Sequence, residues 1–234
     1  MDAQTAHDTP DPLDEVQAWR EAHERVCALV EGVDEQAMEQ RVPACPGWTA
    51  RELLSHVVGL GADVLGGDEP DDHNEGWTQA QVDARQGRSV GELVEEWRGL
   101  ADDLEAWMRA HGTRPLGDVV IHEQDLRSAL DAPGARDTQA FAAVRQRMVG
   151  RFAGRVEGLA TIALVGESWS WVSDGGDADD AAVVVSASDF DLGRALMSRR
   201  TPDQLRAWTT RGDVGPHLEA FGVLGPLPGE PLPE

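Results

Sequence analysis

The chain has 234 residues, 41% of them hydrophobic, which is enough to bury a core, and a formal net charge of −23. All 20 basic residues are arginine and tyrosine is missing, which excludes a Schiff-base lysine, a P-loop lysine and a tyrosine acid. So acidic a chain suits neither nucleic acid nor an anionic membrane, since both are polyanions; its surplus charge serves solubility and says nothing of fold.

The opening "MDAQTAHDTPDPLDE" has no basic or apolar signal region, and residues 1–12 are expected to form a loose tail. A helix follows, with Val16, Trp19, His23, Val26, Cys27 and Val30 at helical spacing. "RVPACPGW" breaks that pattern. Thr49 and Glu52 then fit a capping box, with Trp48 and Leu53 placed for a hydrophobic staple. Leu53, His56, Val57, Leu60 and Val64 make one stripe, so His56 is expected to point inward. Gly66 to Gly76 reads as a loop. Leu93, Trp97, Leu100, Leu104 and Met108 give the next helix a core face, and Gly112 stops it. After the turn "TRPL", a helix is predicted through residues 117 to 130, and another from Thr138 to about Gly158.

Beyond Leu159 the period changes. "TIALV", "SWSWV" and "AAVVVSAS" read as short strands. "DFDLGRALMSRR" returns to helix, and Thr201, Pro202 and Gln204 form a second capping box with proline in the first helical position. The proline-rich "GPLPGEPLPE" cannot hold regular structure. A boundary near residue 157 therefore divides an all-helical bundle, 13–157, from a small α/β domain, 158–234. Cys27 and Cys45 form no CxxC pair, and no apolar run approaches the ~20 residues of a membrane span. A reduced, cytoplasmic protein is expected.

In the helix through 117 to 130, Asp118 and His122 are four apart and lie one turn above each other, with Asp125 almost in line. A carboxylate and an imidazole at that spacing can bind one metal from a single helix. In a bundle, sites are built from inward side chains on facing helices. His56 would complete a set of three N/O ligands, the arrangement of catalytic zinc with one position open. Such a set also accepts nickel, iron, cobalt or manganese. His23 is either a fourth ligand or a hydrogen-bonded core histidine. Cys45 lies beside the start of the His56 helix, where a thiol pKa can be lowered; packing, redox and ligand roles are all open to it.

"VPACPGWTARELLSHVVG", followed at a distance by "GDVVIHEQDLRSALDAPG", resembles the actinobacterial mycothiol-dependent maleylpyruvate isomerase family, within the DinB-like superfamily. The arginine-rich, lysine-free composition fits a high-GC source of that kind. The resemblance implies a mainly α fold, a DinB-like four-helix metal-binding bundle with a small α/β C-terminal domain. Carried over by position, it puts the metal ligands on His56, Asp118 and His122. A member of that family carries a glutamate at the Asp118 position, one methylene longer, so the resemblance implies that either the helix stands closer to the metal here or a water bridges. Asp125 matches an H-x-x-D aspartate that orients a ligand or nearby backbone. "MSRR" matches a small-residue–Arg motif, with Ser198 for the usual glycine and Arg199 as the catalytic candidate.

The implied cofactors are a divalent metal, zinc first, and mycothiol; the partners are this low-molecular-weight thiol and a small electrophile. A metal-bound thiol loses its proton readily and becomes a strong nucleophile. It could isomerise a cis-alkene conjugated to a carbonyl, or be transferred to an epoxide or other electrophile. Arg199, Arg200 and Arg51 are the cations considered for an anionic substrate. Two other classes stay open: a metal-dependent hydrolase using water, and a non-catalytic metal-binding regulatory module. Substrate and oligomeric state are not written in the sequence.

Overall fold

In the computed structural model, residues 13–70 and 74–234 are described; the tail expected over 1–12 lies outside them. Helix α1 (Glu15–Glu31) starts where the extended Asp14 accepts from the N–H groups of Val16 and Gln17, satisfying donors that have no partner inside the helix. Its buried stripe of Val16, Trp19, His23, Val26, Cys27 and Val30 is the one the spacing predicts. After a 3₁₀ turn, β1 (Arg41–Val42) and β2 (Cys45–Thr49) pair as a short antiparallel hairpin. Both strands are edges, so Pro46 forfeits no ladder bond there. Helix α2 (Ala50–Gly66) opens on the Thr49–Glu52 capping box, with both of its hydrogen bonds formed. It closes at Gly67, whose φ of 74° needs no Cβ.

Helix α3 (Glu75–Asp83) begins inside the stretch read from sequence as loop, with Asn74 as its cap. Its buried residues are Gln81 and Val82, too few and too polar to leave a hydrophobic period. Helix α4 (Val90–His111) is capped by Ser89 and Glu92 and buries Leu93, Trp97, Leu104 and Met108. Helix α5 (Pro115–Ala129) starts two residues earlier than the sequence reading, because Pro115 sits in the first turn, where a missing N–H costs nothing. Helix α6 (Gln139–Arg155) is capped by Thr138.

Helices α1 and α2 each pack on both α4 and α5, so these four close a ring, while α6 lies outside it against α5 and α1. The chain then forms β3 (Ile162–Val165), β4 (Ser170–Val172), β5 (Val183–Ser186), α7 (Asp189–Leu196), α8 (Pro202–Ala207) and β6 (Thr209–Arg211). The sheet order is β4-β3-β5-β6, with β3 and β5 parallel and the outer strands antiparallel. β6 is the one strand of this sheet that the hydrophobic pattern did not mark. The Thr201–Gln204 capping box forms as read. Helix α7 lies on α6 at Gly193, where a Cβ would come within 2.7 Å of the Phe141 ring. One hydrophobic cluster runs from Val16 in α1 to Phe221 beyond the sheet, so the fold is mainly helical with a small sheet on a shared core. No described helix is long and apolar enough to cross a membrane.

Candidate metal centre

The contact between α2 and α5 carries His56 to Asp118 and His122. His56 is 4% exposed, inward as its stripe requires. Its Nε2 lies 3.6 Å from Asp118 Oδ1, and His122 Nε2 lies 3.5 Å from the same oxygen. The two imidazoles meet edge to face with centroids 5.1 Å apart, and the ligand atoms of the three residues all lie within 4.8 Å of one another. Asp118 thus brings its oxygen between both rings despite the short side chain.

The far side of each ring is engaged as well. His56 Nδ1 lies 2.6 Å from Gln81 Oε1. The Gln81 amide is oriented by Asp63, whose Oδ2 accepts from Gln81 Nε2 at 2.7 Å, so Oε1 is free to accept the Nδ1 proton. His122 Nδ1 faces Asp125 Oδ2 at 3.1 Å. With both Nδ1 atoms bound to acceptors, the neutral rings keep their Nε2 lone pairs for the space they share with Asp118. The donor set fits a divalent cation. Burial alone would lower the His56 pKa, but the hydrogen bond and charge of Asp118 outweigh it and the net direction is up. A proton therefore competes with a cation for this nitrogen.

Asp125 is fully buried. Besides His122 it accepts from Arg194 Nη2 at 2.7 Å and from Arg199 Nε and Nη2 at 3.1 and 2.8 Å. Burial works to raise its pKa, yet the two guanidinium charges and the hydrogen bonds hold it well below the usual carboxylate range. Arg199 is 8% exposed and turned wholly inward, donating also to the Met197 carbonyl. Arg194 also bonds the Glu234 carboxylate at 2.7 Å. Arg200 pairs with Asp191 and Glu234, and Arg51 with Glu35 and Glu39. Every arginine singled out from sequence is therefore committed to a carboxylate.

For Cys45, whose role the sequence left open, the structure favours packing. Its thiol pKa is pushed up to about 12, chiefly by burial and then by the Asp125 charge, not lowered by the nearby helix start. Its sulfur forms a second trio with His122 and Asp125, but Asp125 already holds two guanidinium groups, so that position repels a cation. His23 is apart from either trio, with its ring 5.2 Å from Trp19 and 4.3 Å from Trp97 and Nε2 3.9 Å from Cys27 Sγ. Burial lowers its pKa to about 4, as for a core histidine. Sequence reasoning missed Gln81 and Arg194, because each acts through a partner distant in the chain. A cavity of about 210 Å³ reaches the trio at Asp118.

Residues 19–127 match the model of a family described as mycothiol maleylpyruvate isomerase N-terminal domain, a span holding His56, Gln81, Asp118, His122 and Asp125. Two solved structures share the fold, the mycothiol-dependent maleylpyruvate isomerase and a histidine-to-alanine mutant of it. They are 15% and 14% identical, each with a TM-score of 0.55, covering 86% of this chain and 93% of theirs. No curated protein matches the sequence.

Proposed function

We propose that this chain, which belongs through residues 19–127 to the mycothiol maleylpyruvate isomerase N-terminal domain family, is a metal-dependent enzyme that uses mycothiol to attack a small electrophile. The observation that carries this reading is the convergence of His56 Nε2, His122 Nε2 and Asp118 Oδ1, with both Nδ1 atoms occupied elsewhere. A divalent cation bound there, zinc being the first candidate, would supply the positive charge that makes a thiol a thiolate at neutral pH. The residues around it have separate tasks. Gln81 and Asp125 fix the rings. Arg194 and Arg199 keep Asp125 ionised, so Arg199 is a positioning residue in this scheme. Cys45, with its raised pKa, is no rival nucleophile.

The chemistry asked of the thiol is addition to an alkene carbon conjugated with a carbonyl. A C–S bond forms, the π electrons move to the carbonyl oxygen, and the former double bond can rotate. Loss of the same thiolate restores the alkene in trans form and consumes nothing. Where the electrophile is an epoxide, the new C–S bond replaces a ring C–O bond and the alkoxide so formed takes up the proton the thiol gave up. Where it carries a leaving group, that group departs with the bonding pair. In both cases the thiol stays attached and the enzyme is an S-transferase. A reduced cytoplasmic setting would keep such a thiol available.

The test is elemental analysis of purified wild type, His56→Ala and His122→Ala, with turnover of maleylpyruvate followed in the presence and absence of mycothiol. Near-stoichiometric divalent metal is expected in wild type and not in either variant, with turnover only when thiol is present. Wild type that stays metal-free under metal-replete conditions would end this reading. Metal with thiol-independent hydrolysis of an ester or amide would move the protein to the hydrolase class.

A further inference from the structure

Three guanidinium groups and three carboxylates form one network around Asp125. Arg194 holds Asp125 and Glu234, Arg199 holds Asp125, and Arg200 holds Asp191 and Glu234. All but Glu234 sit on α5, on α7 or in the turn after α7. Glu234 belongs to a stretch, Leu224 to Glu234, that forms neither helix nor strand. Its side chain is nonetheless only 6% exposed, with one oxygen taking Nε and Nη2 of Arg194 and the other taking Nη1 of Arg200. The stretch is fastened at two ends. At its base the Ser198 hydroxyl donates to the Phe221 carbonyl and accepts from the Leu224 N–H, while Ser198 itself holds a φ of 61°. At its tip the Ser128 hydroxyl donates to the Pro233 carbonyl, and Glu234 makes its ion pairs. Between these ends, residues 225–232 make no hydrogen bond to any described residue. They form one side of a cavity of about 600 Å³, with Pro43, Ala44 and Pro46 of the β1–β2 hairpin opposite and Arg199 in its wall.

We propose that residues 224–234 are a strap over this cavity, latched by Glu234, and that a small monocarboxylate taking the Glu234 seat releases it. Prolines at 226, 228, 231 and 233 offer no N–H and favour extended backbone. The strap therefore moves as a stiff piece about its base, and little conformational freedom changes hands when the latch does. Few contacts make such an opening cheap, yet the latch cannot simply let go. With Glu234 withdrawn, the three buried cations face two carboxylates, and a stranded buried charge is costly. An anion from solution that offers two oxygens to the same donors removes that cost. The strap is closed while the chain's own carboxylate is seated and opens when another replaces it. Opening bares the Arg199 side of the cavity. Neither His56 nor Asp118 takes part, so the latch stands or falls independently of the metal reading.

Acetate is the fragment that Glu234→Ala removes, which makes it the probe; acetamide, of similar shape but uncharged, and chloride are the controls. Calorimetry reads acetate affinity, and amide relaxation at Leu227, Gly229, Glu230 and Leu232 reads the freedom of the strap. Acetate is expected to bind Glu234→Ala about tenfold or more tightly than wild type, where a tethered carboxylate competes at high local concentration. In wild type without acetate these amides should be as ordered as the helices. In Glu234→Ala, and in wild type saturated with acetate, their order parameters should fall below about 0.6. Equal acetate affinity in the two proteins, acetamide binding as tightly as acetate, or a strap as ordered in Glu234→Ala as in wild type would each overturn the proposal. So would a wild-type strap that is already mobile or that acetate leaves ordered. Chloride freeing it at equal concentration would do the same, since that marks salt screening of an ion pair and not a seat.

Discussion

His56 presents Nε2 to Asp118 because Gln81 takes the proton on its other nitrogen, and Gln81 is turned by Asp63 in its place. Replacing Gln81 by methionine keeps length and bulk but removes the acceptor. Metal affinity, read by competition with a chromophoric chelator, is expected to fall about 10- to 100-fold, as it does when partners of ligating histidines are lost. An unchanged affinity would show that packing alone orients the ring. Asp125 presents the opposite problem, an anion between two cations, all of them buried. Asp125→Asn keeps the shape, leaves Arg199 without its carboxylate and leaves Arg194 with Glu234 alone. A loss of about 3–5 kcal/mol in urea unfolding is expected, the usual result of breaking a buried pair from one side. Adding Arg199→Met should restore part of it. If the double variant is no more stable than the single one, the loss does not come from stranded charge.

Among the elements, α3 is short and buries little, yet it delivers Gln81. It can come close because α2 has no side chain at Gly59: a Cβ there would lie 2.5 Å from Gln81 Cβ. Gly59→Ala should raise intrinsic helix propensity in α2 but push α3 outward. A lower Tm together with weaker metal binding is the expected pair of outcomes, and a Tm at or above wild type would show that α3 yields without cost. The same element shows what a sequence can and cannot tell. The stripes of α1, α2 and α4 and the capping boxes at Thr49 and Thr201 could be read because their signals are local and periodic. So could the Asp118–His122 pair, which one helical turn sets, with His56 added by its inward place in a stripe. Helix α3 turns a glutamine inward and so leaves no hydrophobic period. The choice of Asp125 by Arg194 and Arg199, over dozens of other carboxylates, is a tertiary decision across 69 and 74 residues. Spacing carries no trace of it.

At the scale of the molecule, stability should follow pH through its buried groups. His23 has its pKa lowered from 6.5 to about 4 by burial. The unfolded chain therefore takes up this proton first. The contribution of His23 is complete above pH 6.5 and is lost as pH falls through about 4, with a total of roughly 3 kcal/mol. Unfolding free energies for His23→Leu should decline less steeply than wild type across that window, and parallel curves would refute the assignment. The sheet-bearing part of the chain matters to the helical part in a similar way. Both cations on Asp125 come from the far side of residue 157, while Asp125 itself steadies His122. Cut at that boundary, the ring of helices would keep its three candidate ligands in sequence but strand a solitary anion in a dry interior. It would have to take up a proton or let in water. A severed N-terminal piece is thus expected to lose its grip on His122, and its chemistry, even where its helices survive.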